Sequence, residues 1–266
     1  MSHGEAEPNC LNCGVALQGD YCHACGQKAV SLHLGMHDFA HDATHEFLHL
    51  DGKVLKTVRL LIIRPGELTR EFLAGRRARY ISPVRLYLTF SLIFFTLAAI
   101  LPHRPGDQIV KVQGTPNLHA KNEFERRLMT GLQKAQREGQ HTSEEVLHNV
   151  PKAMFVLMPI FALLTWAFYR KQQRFYVPHL YYAVHFHAFV FFVMSVYVLV
   201  SRLALTRAMA APLILVTVPY HFIALRRVFG GSRAITFAKG FAIGFLYWLT
   251  AAVTLMVVAL IVILSL

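Results

Sequence analysis

After Glu145 the chain carries no Asp or Glu, yet it continues to residue 266 through long apolar runs separated by short basic clusters. A hydrocarbon layer about 30 Å thick is crossed by a helix of roughly 17–25 predominantly apolar residues. Runs of that order fall at about 83–101, 153–169, 179–200, 208–225 and 240–266. The expected fold class is an all-α integral membrane protein of about five transmembrane helices, with a small cysteine-bearing N-terminal unit and interfacial helices. A content of 55% hydrophobic and 16% charged residues agrees with this and argues against an ordinary soluble domain.

The net charge of +12 is concentrated beside the apolar runs, where it reads as membrane topology rather than as a footprint for nucleic acid, and no specific nucleic-acid partner is expected. The segment before the first span, the Arg170–Arg174 loop and the loop holding Arg226, Arg227, Arg233 and Lys239 are all basic. Placing the three on the cytosolic side makes five spans alternate, with the N terminus inside and the C terminus outside; Arg202 and Arg207 then lie outside, against the rule. No secretory signal peptide is read in the first thirty residues.

Residues 1–30 contain Cys10-Leu-Asn-Cys13-Gly and Cys22-His-Ala-Cys25-Gly, two Cys-x-x-Cys knuckles each followed by glycine. Each knuckle lets two thiolates hold one ion, the glycine permits the tight turn beneath it, and four such ligands close a tetrahedral zinc site. A four-sulfur set leaves no position for substrate, so the metal is structural. Iron also suits tetrahedral sulfur. Two disulfides are the alternative, disfavoured by a cytosolic location.

Residues 31–82 form an amphipathic, basic segment. Toward its N-terminal end His33, His37, His41, His45 and His49 recur every four residues, with Asp38, Asp42 and Glu46 following three of them. On a helix this is a solvated or headgroup-facing side. Because a spacing of four drifts about 40° per step, all five rings cannot share an ion, and a second metal would take His37, Asp38, His41 and His45.

Beyond the histidines a pair of short interfacial helices is expected. The first would gather Val54, Leu55, Val58, Leu61 and Ile62 on one side and Lys53, Lys56 and Thr57 on the other. Arg64-Pro65-Gly66 breaks it. Pro65 suits the first turn of the next helix, which buries Leu68, Phe72 and Leu73 and ends at Gly75. Arg64, Arg76, Arg77 and Arg79 could clamp the phosphate oxygens of anionic lipid headgroups, or could serve simply to orient the first span.

Residues 83–266 make the bundle, interrupted by an external loop at 102–152. In that loop Phe124, Leu128, Leu132 and Ala135 suggest an amphipathic cap, and Thr142 with Glu145 resembles a capping box. No charged residue lies at the middle of a span, which removes the carboxylate relay of many proton-coupled carriers. His185, His187 and His221 remain as a polar group, able to line an intramembrane pocket with Tyr181, Tyr182 or Tyr220, or to join helices by hydrogen bonds. His185 and His187, about 200° apart on a helix, face different sides. Gly240 and Gly244 would permit close packing in the last span.

The stretches CLNCG and YCHACGQ, the run LDGKVLKTVRLLIIRPGELTREFLAGRRARYISPVRLYLTFSLIFF and, more loosely, HFIALRRVFGGS resemble an uncharacterised family of bacterial multi-pass membrane proteins. The resemblance implies an N-terminal zinc ribbon, an RPG and GRRxRY signature, a multi-pass bundle and a bacterial inner-membrane location. It implies no activity. The function expected is a tethering or regulatory module, more a non-enzyme than an enzyme, using the ribbon toward a cytosolic protein partner and the basic segment toward anionic membrane lipids. A lipid or small-solute carrier is the alternative, and an enzyme acting on a phosphorylated lipid ranks third.

Overall fold

The computed structural model describes residues 8–29, 52–101, 122–203 and 211–265. The proposed second metal site at His37, Asp38, His41 and His45 lies outside them. Among the described residues the ordered elements are helices: α1 (Lys53–Ile63), α2 (Glu67–Leu73), α3 (Pro83–Ile100), α4 (Glu123–Arg137), α5 (Gly139–Tyr169), α6 (Tyr176–Leu203), α7 (Ala211–Leu215), α8 (Thr217–Phe229) and α9 (Arg233–Ser265). Residues 8–29 form two turns, each closed by an isolated antiparallel bridge.

Five stretches are long and apolar enough to cross a membrane: Pro83–Ile100, His141–Tyr169, Tyr176–Arg202, Pro212–Phe229 and Arg233–Ser265. The fourth is a broken element, α7 and α8, meeting at Val216. The fifth begins earlier than its apolar run suggested, because Ser232 accepts from the Ile235 N–H and starts the helix among polar residues. At α3 the sequence Ser82-Pro83 sets the start: the Ser82 hydroxyl accepts from the Arg85 N–H at 3.3 Å, and proline occupies the first turn, where a missing N–H is harmless.

Helix α6 is the axis of the bundle. Tyr181, Tyr182, Ala183 and Val184 are fully or almost fully buried, whereas α9 turns Phe241, Phe245, Trp248 and Met256 outward. That outward apolar surface is what lipid, not water, would cover. At one end of the bundle the α5 C terminus and the starts of α6 and α9 converge on the end of α8. Tyr169 and His179 stack on Phe229 with centroids 4.9 and 4.6 Å away, and Lys239 Nζ donates to the Phe168 carbonyl at 2.7 Å. The basic loops singled out from the sequence thus share that end.

Helix α4 caps the other end against α9, with Gly131 set on the Ile263 carbonyl and Ala135 buried. Its N-cap is Asn122, which accepts from the Glu125 N–H at 2.8 Å. The capping box read at Thr142 and Glu145 is not one. α5 already begins at Gly139, so Thr142 lies inside it, buried, bonding back to the Glu138 carbonyl. In α9 a Cβ at Gly240 would meet the Phe222 ring at 2.6 Å, a close approach as expected; Gly244 faces open space and packs nothing.

Candidate functional site

The two knuckles are copies of one turn, offset by twelve positions. Cys10 N–H donates to the Val15 carbonyl as Cys22 N–H does to Gln27, and Gly14 N–H to Cys10 as Gly26 N–H to Cys22. The two glycines sit at φ of 82° and 71°, in the left-handed region a Cys-x-x-Cys-Gly turn needs. Facing each other, the copies gather four sulfurs within 4.8 Å, with Cys10 and Cys25 Sγ 3.6 Å apart and Cys13 and Cys22 Sγ 3.5 Å apart. Zinc bonded to sulfur at about 2.3 Å in a tetrahedron requires sulfurs roughly 3.8 Å apart, so the four thiols fit a single tetrahedral metal ion.

The protons of this cluster are unevenly held. Burial works against ionisation of Cys25, but the Gln27 backbone N–H and the Asn12 side chain outweigh it and bring the thiol down to about 6. At Cys13 the Val15 N–H works downward, while desolvation and the neighbouring thiols push the group up to about 12. A cation at the centre removes that competition by favouring all four thiolates. His23, inside the second knuckle, is not needed as a ligand.

The ribbon is seated on the turn between α2 and α3. Gln27, 7% exposed, donates from Nε2 to the Gly75 carbonyl at 2.7 Å and accepts at Oε1 from the backbone N–H groups of Arg77 and Ala78, both at 3.0 Å. From the first knuckle, Leu11 lies over Gly75, and Arg79 Nη2 donates to the Asn12 carbonyl. The turn itself is a Schellman cap, with Gly75 at φ 77°, its N–H on the Phe72 carbonyl and the Arg76 N–H on that of Glu71. Gly75 is thus the C-terminal cap the sequence indicated.

The four arginines read as headgroup ligands are used differently. Arg76 forms a two-pronged pair with Glu71 at 2.9 and 2.6 Å, and that pairing holds the Glu71 carboxyl below its usual range. Arg77 is buried, its guanidinium 5.8 Å from the centre of the Tyr181 ring. Arg79 reaches the ribbon. Arg64 lies exposed beside a notch of about 240 Å³ lined by Lys56, Arg59, Leu60, Ile63, Arg64 and Tyr80.

The Glu71 carboxylate also accepts from Tyr80 OH at 3.3 Å, which links α2 to the start of α3. A folded-state value below the unfolded one means that the stabilisation is present above the unfolded value near 4.5 and is lost as pH falls through the folded one. Hydrogen exchange at the Arg76–Ile81 amides is expected to be faster in Glu71→Gln than in wild type at pH 7. The gap should close as pH drops through and below 4.5. A gap independent of pH would show that the carboxylate charge is not what holds the turn.

Helix α1 differs from its expected sidedness. Leu55 is 75% exposed and Thr57 completely buried. The Thr57 hydroxyl donates to the Lys53 carbonyl at 2.7 Å and accepts the Ile81 N–H at 3.2 Å, joining α1 to the α3 entry. The inward stripe is Thr57 and Leu61, both buried, with Val54 and Val58 half-buried beside them, a helical repeat in which one position carries a hydroxyl. Pro65 also differs: it precedes α2, whose N-cap is Gly66 in the left-handed region.

The three intramembrane histidines face two sides, as their spacing indicated. His185 Nδ1 is 3.0 Å from Thr69 Oγ1 and packs edge-on to Phe72. On the opposite side His187 Nδ1 is 2.8 Å from the Ala183 carbonyl, which can only accept. Its Nε2, at 2.7 Å, therefore accepts from Tyr247 OH when the ring is neutral. His221 Nδ1 meets Tyr182 OH at 3.0 Å, and the Phe161 ring lies against both His187 and His221. Thr69, Tyr247, Gln27 and Asn12 were not singled out from the sequence. Of these only Gln27 carried a local cue, a polar residue directly after the second knuckle's glycine.

The arrangement defines a class: a helical bundle with five membrane-length spans, carrying a four-cysteine cluster docked on a basic turn. Residues 51–95, covering α1, both turns, α2 and most of α3, match the family described as Protein of unknown function (DUF3667). No curated protein and no solved structure matches the chain.

Proposed function

We propose that the chain is a tethering or regulatory module of a bacterial inner membrane, in which one zinc ion, held by Cys10, Cys13, Cys22 and Cys25 on the cytosolic side, clamps the basic hinge. The observation that carries this reading is the Gln27 carboxamide, whose three hydrogen bonds tie the second knuckle to the Gly75–Ala78 turn. A four-sulfur set has no open position for substrate, so zinc there would supply rigidity rather than chemistry. Zinc is favoured over iron by the closed structural role and over disulfides by a reducing compartment. Arg170, Lys171 and Arg174, with Arg226, Arg227 and Arg233, support a cytosolic location for the ribbon's end of the bundle. The ribbon's remaining surface would meet a protein partner, and the hinge anionic lipid.

Support for a carrier working through His185, His187 and His221 is weaker, because each ring is packed against aromatic side chains and bonded to a neighbouring helix or its own. An enzyme on phosphorylated lipid would need Arg76, Arg77 and Arg79, which are turned to Glu71, Tyr181 and Asn12.

The test separates clamp from metal. Gln27→Leu in the full chain, reconstituted in lipid nanodiscs, is expected to keep one zinc per chain while hydrogen exchange at residues 75–80 rises at least about tenfold, the loss of three buried hydrogen bonds. Unchanged exchange there would remove the clamp and with it the regulatory reading.

A further inference from the structure

The basic notch on α1 does not stand alone. Ile63 forms part of its wall and also part of an apolar groove of about 410 Å³, which passes from Ile62, Ile63 and Pro65 to Phe192 and Val196 of α6 and Ile223 of α8. Apart from Tyr220, whose hydroxyl is taken up by the Leu61 carbonyl at 2.8 Å, the groove has no titratable side chain. It begins at the hinge and follows the spans: Phe189 to Val196 on α6, and Ile223 to Leu213 across α8 and α7, about 10–15 Å at 1.5 Å per residue. One end is therefore cationic and near the turn that carries Arg64. The other is apolar and lies along membrane-spanning segments.

Charge settles what kind of molecule fits. Among the described residues the notch is lined by Lys56, Arg59 and Arg64 with no acidic residue in its wall, and the carboxylate that meets the Tyr80 hydroxyl, Glu71, is paired with Arg76. Lys56 and Arg64 are both exposed, Lys56 with its Nζ 5.3 Å from the centre of the Tyr80 ring at the notch wall, so both charges are open to an anion from solvent. A free phosphate or an acidic peptide would use the notch and leave the groove empty. A lipid with a zwitterionic headgroup would use the groove and gain little from three cations. An anionic phospholipid uses both.

We infer that this continuous notch and groove is a binding site for one anionic glycerophospholipid, its phosphate held by Lys56, Arg59 and Arg64 and one acyl chain lying between α6 and α8. The site deepens the headgroup-binding side of the proposed function and moves it from the GRRxR arginines to α1. It does not depend on the ribbon clamp. Juxtamembrane cations each strengthen attraction to an anionic lipid several-fold, and the groove adds the burial of a chain that a flat basic surface lacks.

The full-length protein in neutral detergent would be titrated with dioleoyl phosphatidylglycerol or dioleoyl phosphatidylcholine and lipid retention read by native mass spectrometry. Wild type is expected to retain the anionic lipid at least about tenfold better. Lys56→Gln/Arg59→Gln/Arg64→Gln should lose the preference without losing phosphatidylcholine, whereas Ile223→Trp, which fills the groove from an exposed position, should weaken both lipids. Lys56→Arg/Arg64→Lys should keep the preference, and an unchanged thermal unfolding midpoint in the same detergent reports that each variant is folded. Equal retention of the two lipids by wild type, or a preference that survives the triple substitution, overturns the site and leaves the Gln27 clamp untouched. Displacement of phosphatidylglycerol by millimolar inorganic phosphate, together with an indifferent Ile223→Trp, would mean a phosphate notch without an acyl seat and would equally overturn it.

Discussion

Cys10→Ser/Cys13→Ser is expected to bind no metal and to lose the ordered ribbon altogether, with residues 8–29 exchanging their amides at the rates of an unfolded chain. The reason is the small amount of other material holding that segment. Cys10 and Cys22 are its buried apolar residues, and Asn12 and Gln27 its buried polar ones, so there is no core to survive the ion. Structural zinc sites contribute on the order of 10–16 kcal/mol at neutral pH, more than the backbone bonds of two short turns could replace. The consequence should extend to Gly75–Tyr80, where Gln27 and Asn12 would be withdrawn from the turn. It should stop there, because α5, α6 and α9 are held together by their own packing through Phe161, Tyr182 and Tyr247. Zinc content by elemental analysis and amide exchange by region check each of these expectations. A variant with an ordered 8–29 segment and no metal would show that the knuckles fold on their own.

That locality explains which features were legible from sequence. The knuckles were, because ligand spacing and the following glycine are local requirements, satisfied within five residues. The five spans were, because charge is excluded from hydrocarbon wherever it occurs along a helix. Gly75 as a cap was legible for the same local reason. The ribbon's seat on residues 75–79 was not, since the partners Gln27 and Arg77 are fifty positions apart and joined by side chain to backbone, which leaves no trace in either segment alone. Thr57 was misplaced because a hydroxyl at a helical position looks polar until a donor, here the Ile81 N–H, is known to approach it. The arginines show the same limit from the other side: composition located the charge, but only tertiary contacts reveal that Arg76 answers Glu71 while Arg64 faces the notch.

The Arg64-Pro65-Gly66 turn carries the second large effect. Gly66→Ala is expected to destabilise the folded chain by roughly 2–5 kcal/mol, against a neutral to mildly stabilising Gly244→Ala. Gly66 has φ of 78°, and a Cβ there would lie 2.8 Å from the Ala224 carbonyl oxygen and 3.0 Å from the Ala224 Cα. Both obstacles are α8 backbone, which cannot rotate away as a side chain would. Neither can the turn retreat: the Pro65 carbonyl accepts from Arg227 Nη1 at 2.8 Å, and the Leu61 carbonyl just before it from Tyr220 OH. The methyl group would therefore have to part α2 from α8, loosening the hinge and the upper wall of the groove together. Gly244 is the matching control, a helical glycine with nothing within 4 Å of its would-be Cβ, so the same chemical change there gains helix propensity without a clash. Thermal unfolding of both variants in one detergent provides the comparison. If Gly66→Ala melted with wild type, α8 would not be seated on the turn, and the glycine at position 66 would need another explanation.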